Sequence, residues 1–87
     1  MFIFKDCVPY SEKACLDVGR RLGLKVGGAG YSFAGALGYA KGCYAYTTPS
    51  TFYGRLYYGR GGSTEEMQES LPTPRYRPTG YDCSLGK

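Results

Sequence analysis

The stretch Gly59-Arg60-Gly61-Gly62-Ser63-Thr64 lies between a predicted strand and a predicted helix start. Free backbone amides at a helix N-terminus, flanked by glycine and one arginine, are a physical recipe for binding an anion, so Arg60, Gly61, Gly62 and Ser63 form a candidate cradle. The stretch lacks the G-K-[ST] ending that would send a lysine to β- and γ-phosphates, and it is not G-x-G-x-x-G. A tight turn feeding a capped helix accounts for the same residues. A second constellation is aromatic: Tyr44, Tyr46, Tyr53 and Tyr57 fall on alternating positions of two predicted strands, with Arg55 among them. Tyrosines on a sheet face stack on sugar rings or bases and offer hydroxyls, and Arg55 adds a partner for acidic groups. Core packing and cross-strand pairing in a chain without tryptophan explain the same tyrosines.

The inventory excludes much other chemistry. Among 87 residues there are 14 Gly, 10 Tyr and four Cys, but no His and no Trp. Without histidine there is no Ser/His or Cys/His pair and no imidazole metal ligand. Glu65, Glu66 and Glu69 sit where a helix start explains them, Asp6, Asp17 and Asp82 are isolated in sequence, and nothing proposes a glycosidase pair. No cofactor motif, metal set or catalytic constellation is present, so the chain is expected to be non-enzymatic. The net charge of +4 favours anionic partners weakly, because the basic residues are scattered apart from Arg20 and Arg21. No RNA-recognition signature is present, which makes nucleic acid an unlikely partner. The longest apolar run is far short of a spanning helix, so a soluble chain without a transmembrane segment is expected.

No two cysteines have C-x-x-C spacing, which argues against a zinc knuckle or a thioredoxin-like pair. Disulfides are the expected use, and they suit an oxidising, extracytosolic compartment: secreted, cell-surface or an organelle lumen. Residues 1–6 are too short for the apolar core of a signal peptide, so a removed leader with restarted numbering is the favoured account. Of the three possible connectivities, packing selects Cys15 with Cys43, because the apolar face of a helix carrying Cys15 would lie over the strand that Cys43 opens. Cys7 with Cys83 then ties the C-terminal tail to the first strand.

The elements that must position these groups read as one α+β domain over residues 1–87. An edge strand occupies residues 1–5. A helix begins at the N-cap Ser11, with Ala14, Cys15, Val18 and Leu22 on one face, and Gly23 closes it. Residues 24–26 form a short strand. Residues 27–42 are a glycine-rich structured loop whose Tyr31, Phe33, Leu37 and Tyr39 pack inward. Residues 43–48 and 52–58 make an antiparallel hairpin around the turn Thr48-Pro49-Ser50, with Tyr53, Arg55 and Tyr57 sharing one face of the second strand. Ser63 and Glu66 match a capping box that starts a second helix reaching about Leu71. Pro72, Pro74 and Pro78 make residues 71–81 an extended strap without a ladder. The architecture predicted is thus a small antiparallel sheet with one packed helix, a second short helix and a proline-rich C-terminal strap, stapled by disulfides.

The segments Gly27-Gly28-Ala29-Gly30-Tyr31-Ser32-Phe33-Ala34-Gly35, Lys41-Gly42-Cys43-Tyr44-Ala45-Tyr46, Tyr57-Tyr58-Gly59-Arg60-Gly61-Gly62 and Tyr76-Arg77-Pro78-Thr79-Gly80-Tyr81-Asp82-Cys83 together resemble an uncharacterised Gly/Tyr/Cys-rich module of marine unicellular algae. The Gly-Cys-Tyr strand after a cysteine-bearing helix is also loosely similar to WSC and PAN-type extracellular modules. The first resemblance implies an extracytosolic, non-enzymatic domain, and the second implies binding of carbohydrate or protein. With no catalytic or cofactor signal, surface recognition remains. The expected function is an interaction module, an adaptor or extrinsic subunit of a larger protein assembly. A glycan-binding domain using the hairpin tyrosines, with a polysaccharide ligand, is the alternative.

Overall fold

The computed structural model describes residues 7–36, 40–48 and 50–80. The predicted first strand, the packing of Leu37 and Tyr39, the turn residue Pro49 and the Cys83 end of the second disulfide lie outside the described residues.

Helix α1, Glu12–Arg21, starts where its cap predicts: the Ser11 side chain accepts from the Ala14 amide at 3.1 Å, and Glu12 sits in the first turn. Gly23 follows the helix at φ +74°, a left-handed position that favours glycine. Ala14, Cys15, Val18 and Gly19 are buried. Leu22 is not: it caps the helix and faces solvent. Gly23 turns the chain back, the Leu24 amide donates to the Gly19 carbonyl at 2.9 Å, and Leu24 takes the place against the core that the helical repeat assigned to Leu22.

Five strands form one sheet: β1 Lys25–Val26, β2 Ala34–Gly35, β3 Gly42–Tyr46, β4 Arg55–Gly59 and β5 Arg75–Tyr76. The antiparallel β3–β4 hairpin is its centre, with Cys43 opposite Tyr58, Tyr44 opposite Tyr57 and Ala45 opposite Leu56. The sheet is nevertheless mixed, because β1 and β2 both run parallel to β4, one after the other along its outer edge. Parallel partners are not joined by a hairpin, so no turn signal marks such pairs in the sequence. The strap also gains a ladder that its prolines were expected to forbid. The proline-free pair Arg75-Tyr76 bonds antiparallel to β3, and the Thr47 amide donates to the Pro74 carbonyl at 2.6 Å.

Strand parity divides the interior into two clusters. Cys43, Ala45, Leu56 and Tyr58 face α1 and pack with Cys15, and Met67 of helix α2, Thr64–Gln68, closes that cluster. On the opposite face, Tyr44, Tyr46 and Tyr57 pack with Phe52, Ala40 and Leu71. Two glycines set how closely the layers meet. A Cβ on Gly19 would lie 2.4 Å from Leu56 Cδ2, and one on Gly59 would lie 1.8 Å from the Ala40 carbonyl oxygen. The predicted staple is present: Cys15 and Cys43 are disulfide-bonded with Cα atoms 5.6 Å apart. Cys7 exchanges two backbone hydrogen bonds with Gly80, each 2.9 Å, fastening the strap to the start of the described chain.

Helix α2 has its capping box, with Ser63 Oγ accepting from the Glu66 amide and Glu66 Oε1 accepting from the Ser63 amide. It ends at Gln68 instead of about Leu71. Glu69 is already extended at ψ 137°, and the carbonyls of Glu66 and Glu69 are taken by the strap residue Arg77.

Candidate functional site

Three of the predicted binding tyrosines do share one sheet face. Tyr44 and Tyr57 stack with centroids 5.7 Å apart, and Tyr46 meets both edge-on. They are buried, at 4–7% exposure, so their main work is packing. Tyr57 also spends its hydroxyl internally: Oη donates to the Gly28 carbonyl at 2.8 Å, beside Arg55, whose Nη1 donates to the Gly27 carbonyl at 3.0 Å. Together they pin the base of the glycine loop. Burial pushes the Tyr57 phenol above its ordinary value, against the opposing pull of Arg55.

Tyr53 is not part of this cluster. Residues 50–55 coil through successive turns, with Ser50 Oγ accepting from the Phe52 amide and the Arg55 amide donating to the Phe52 carbonyl, and Gly54 stands at φ +76°. The strand therefore starts at Arg55 rather than Phe52. Phe52 swings under the tyrosine face, while Tyr53 stands exposed on the opposite side beside Tyr76. Desolvation first, and Tyr53 second, raise the Tyr76 pKa.

The glycine loop turns at Gly28-Ala29-Gly30-Tyr31, where Gly28 and Tyr31 exchange backbone bonds of 2.8 and 3.1 Å. Ala29 at φ +55° and Gly30 at φ +91° give both central residues the left-handed conformation of a tight hairpin. Tyr31 projects from it and meets Phe52 edge-on with ring centroids 5.6 Å apart, whereas Phe33 packs inward and stacks on Tyr58. Only Phe33 of these two follows the inward expectation. Tyr31, Phe52, Tyr46, Ser50 and Arg75 border an open groove of about 920 Å³.

A second depression, about 480 Å³, opens at the end of the sheet where β4 begins, between Leu22, Leu24, Lys25, Tyr53 and Tyr76. The large apolar side chains exposed among the described residues are Leu22, Val26, Tyr31 and Tyr53, each 46–65% accessible. They divide between the two faces of the sheet: Leu22 at the α1 C-terminus and Tyr53 in the β3–β4 turn border this depression, with Val26 following Lys25 in β1, whereas Tyr31 lies against Phe52 on the groove side. Cations gather here too. Lys25 pairs with Arg55 across β1–β4, and Tyr46 pairs with Arg75 across β3–β5, whose guanidinium lies 5.9 Å over the Tyr46 ring. Arg20 and Arg21 occupy the exposed last turn of α1. Of the carboxylates of the described residues, Asp17 stands one turn before Arg20 and Arg21 in α1, Glu12 is at the far end of that helix, and Glu65, Glu66 and Glu69 are at α2, which packs on the opposite end of β3.

The candidate anion cradle is differently employed. Arg60 reaches Glu12 in a salt bridge, and that hydrogen bond holds its pKa up. Lys41 Nζ donates to the Arg60 carbonyl at 2.8 Å and to the Ala36 carbonyl at 3.0 Å, Gly61 turns at φ +86°, a Cβ on Gly62 would meet the Lys41 stem, and Ser63 is the N-cap. Those residues knit a turn to α1.

Sequence reasoning missed Arg77. Its guanidinium donates to four carbonyls: Nε to Glu69 (2.9 Å), Nη1 to Lys41 (2.7 Å) and Cys43 (2.9 Å), and Nη2 to Glu66 (2.8 Å). One side chain thus joins strap, α2 and β3. Desolvation lowers its pKa, with Glu69 and Tyr44 opposing. Its targets are backbone atoms, which leave no mark on the residue types around it.

Among the described residues no group of three or more His, Cys, Asp or Glu is placed to hold a metal, and no helix is long and apolar enough to cross a membrane. No family model, curated protein or solved structure matches the chain.

Proposed function

We propose that the protein is a non-enzymatic interaction module, an adaptor or extrinsic subunit of a larger protein assembly, working through the end of the sheet where β4 begins. The observation that carries this reading is that the exposed Leu22 and Tyr53 border one depression at that end together with Leu24 and Tyr76. Scattered apolar side chains need no explanation, but a group of them rimmed by Arg and Lys has the make-up of a recognition patch, in which Tyr and Arg are favoured. The Cys15–Cys43 bond is in keeping with an oxidising, extracytosolic setting. The test is capture from the native extract with the intact chain. A defined partner should co-purify and be lost with Leu22→Ser/Tyr53→Ser, while strictly monomeric, partner-free behaviour counts against the reading.

The groove bordered by Tyr31, Phe52 and Arg75 favours a second reading, a glycan-binding domain. With Tyr44, Tyr46 and Tyr57 buried, a sugar would stack chiefly on Tyr31 and Phe52. Reproducible glycan-array binding that disappears in Tyr31→Ala supports that alternative, and silence across the array favours the protein partner.

A further inference from the structure

Resting on the interaction reading above, we infer that the partner presents an acidic peptide segment carrying one bulky apolar side chain. That side chain seats in the depression between Leu22, Leu24, Tyr53 and Tyr76, and its flanking carboxylates meet Arg20, Arg21 and Lys25. Three features of the chain converge on this chemistry. The depression, about 480 Å³, has room for one large side chain and its backbone, and its walls combine Leu22, Leu24, Tyr53 and Tyr76 with the polar Thr47 and the basic Lys25 and Arg55. Arg20 and Arg21 directly precede Leu22 on the exposed last turn, Lys25 lines the depression itself, and none of the three forms an ion pair among the described residues. Asp17, one helical turn before Arg20 and Arg21, is the one carboxylate of the described residues near them in α1 and forms no ion pair with them, while Glu12 and the α2 glutamates lie at the opposite end of α1 and β3, so cations outnumber carboxylates at this end.

Charge complementarity of this kind raises encounter rates and excludes basic partners, while the buried apolar anchor supplies most of the affinity. Guanidinium groups add bidentate geometry toward carboxylates that a lone ammonium lacks. Arg20 and Arg21 also complement the negative end of the α1 dipole. Substituting them therefore has a structural effect that must be separated from binding.

The experiment titrates the full, disulfide-bonded chain with a labelled heptapeptide, three acidic residues on each side of one leucine, by fluorescence anisotropy and amide chemical shifts. Saturable binding is expected, with shifts centred on Leu22–Lys25 and Tyr53. Affinity should fall about tenfold when the central leucine becomes glycine and about tenfold in Arg20→Gln/Arg21→Gln/Lys25→Gln, and it should weaken with added salt. The triple variant should keep a melting temperature within a few degrees of the parent, so a loss of binding reports recognition and not unfolding. Binding that ignores the central leucine, or tighter binding of heparin fragments or anionic lipid vesicles than of the peptide, overturns the inference, as does no binding at all. If partner capture is lost in Leu22→Ser/Tyr53→Ser yet survives the triple variant and high salt, the interaction reading stands and the acidic partner is overturned. If capture fails for the parent chain while the peptide binds as described, the reverse holds.

Discussion

A single guanidinium decides whether the strap stays down. Arg77 is the donor for four carbonyls drawn from α2, β3 and the segment before it, so its removal leaves several acceptors without a protein partner at once. Hydrogen bonds to charged groups are worth more than neutral ones, and Arg77→Ala should destabilise by about 2–4 kcal/mol in urea unfolding. Arg77→Lys should recover less than half of that, because an ammonium cannot span the same fork. Tyr57→Phe is gentler: losing the bond to Gly28 should cost about 1 kcal/mol and speed amide exchange at Gly28 and Tyr31 before it affects the sheet. Ala29 runs the other way. A left-handed alanine is disfavoured by roughly 1–2 kcal/mol, while glycine adds about 0.4–1 kcal/mol of unfolded-state entropy, so Ala29→Gly should stabilise by about 0.5 kcal/mol or slightly more.

At the scale of elements, what could be read from the sequence was what is written locally. Ser11, Gly23 and the Ser63–Glu66 box each satisfy backbone groups within a turn of themselves, and α1, its end and the start of α2 fall where those residues put them. Cys15 and Cys43 were pairable for a similar reason, since a short apolar helix face has one strand to cover. The β3–β4 hairpin followed from alternation, but its turn did not. Nothing in Ser50-Thr51-Phe52-Tyr53-Gly54 announces successive turns, and reading the strand three residues early placed Tyr53 on the wrong face. Pairing of β1 and β2 with β4 was illegible because these parallel partners are 30 residues apart in sequence for Lys25 and Arg55 and 24 apart for Ala34 and Tyr58. Packing between elements offers its own check. Gly19→Ala gains about 1 kcal/mol of helix propensity but forces a methyl onto Leu56, an overpacking worth about 1–3 kcal/mol, and should end about 1 kcal/mol less stable. Gly59→Ala has no such offset, and its methyl meets a backbone carbonyl that cannot swing aside, so a loss of about 3 kcal/mol is expected in the same assay.

For the molecule as a whole, the Cys15–Cys43 link closes a loop of 28 residues and should contribute about 3–4 kcal/mol on the chain-entropy account, a large share of what so small a domain can muster. Cys15→Ala/Cys43→Ala should therefore lower the urea midpoint sharply, and tryptic mapping without reduction should recover the Cys15 and Cys43 peptides joined. Alkaline titration probes the same fold from its phenols. Burial raises Tyr57, Tyr58 and Tyr76 above the ordinary value of 10.0, so the folded state holds those protons more tightly than the unfolded chain. Their contribution is complete below about pH 10 and is lost as the pH climbs through the raised values, which phenolate absorbance and unfolding midpoints measured together should show. The outer edge of β4 has one more consequence. β1 ends opposite Leu56 and β2 begins opposite Tyr58, so residues 27–33 leave and rejoin the same edge across a single position, with Gly27 and Gly28 held at the exit by Arg55 and Tyr57. Such an excursion is a natural graft point. Doubling its length should raise the loop-closure cost by only about 0.6 kcal/mol, a drop of about 3 °C in melting temperature, so foreign sequences inserted between Ala29 and Gly30 can be displayed on a scaffold whose core never registers the exchange.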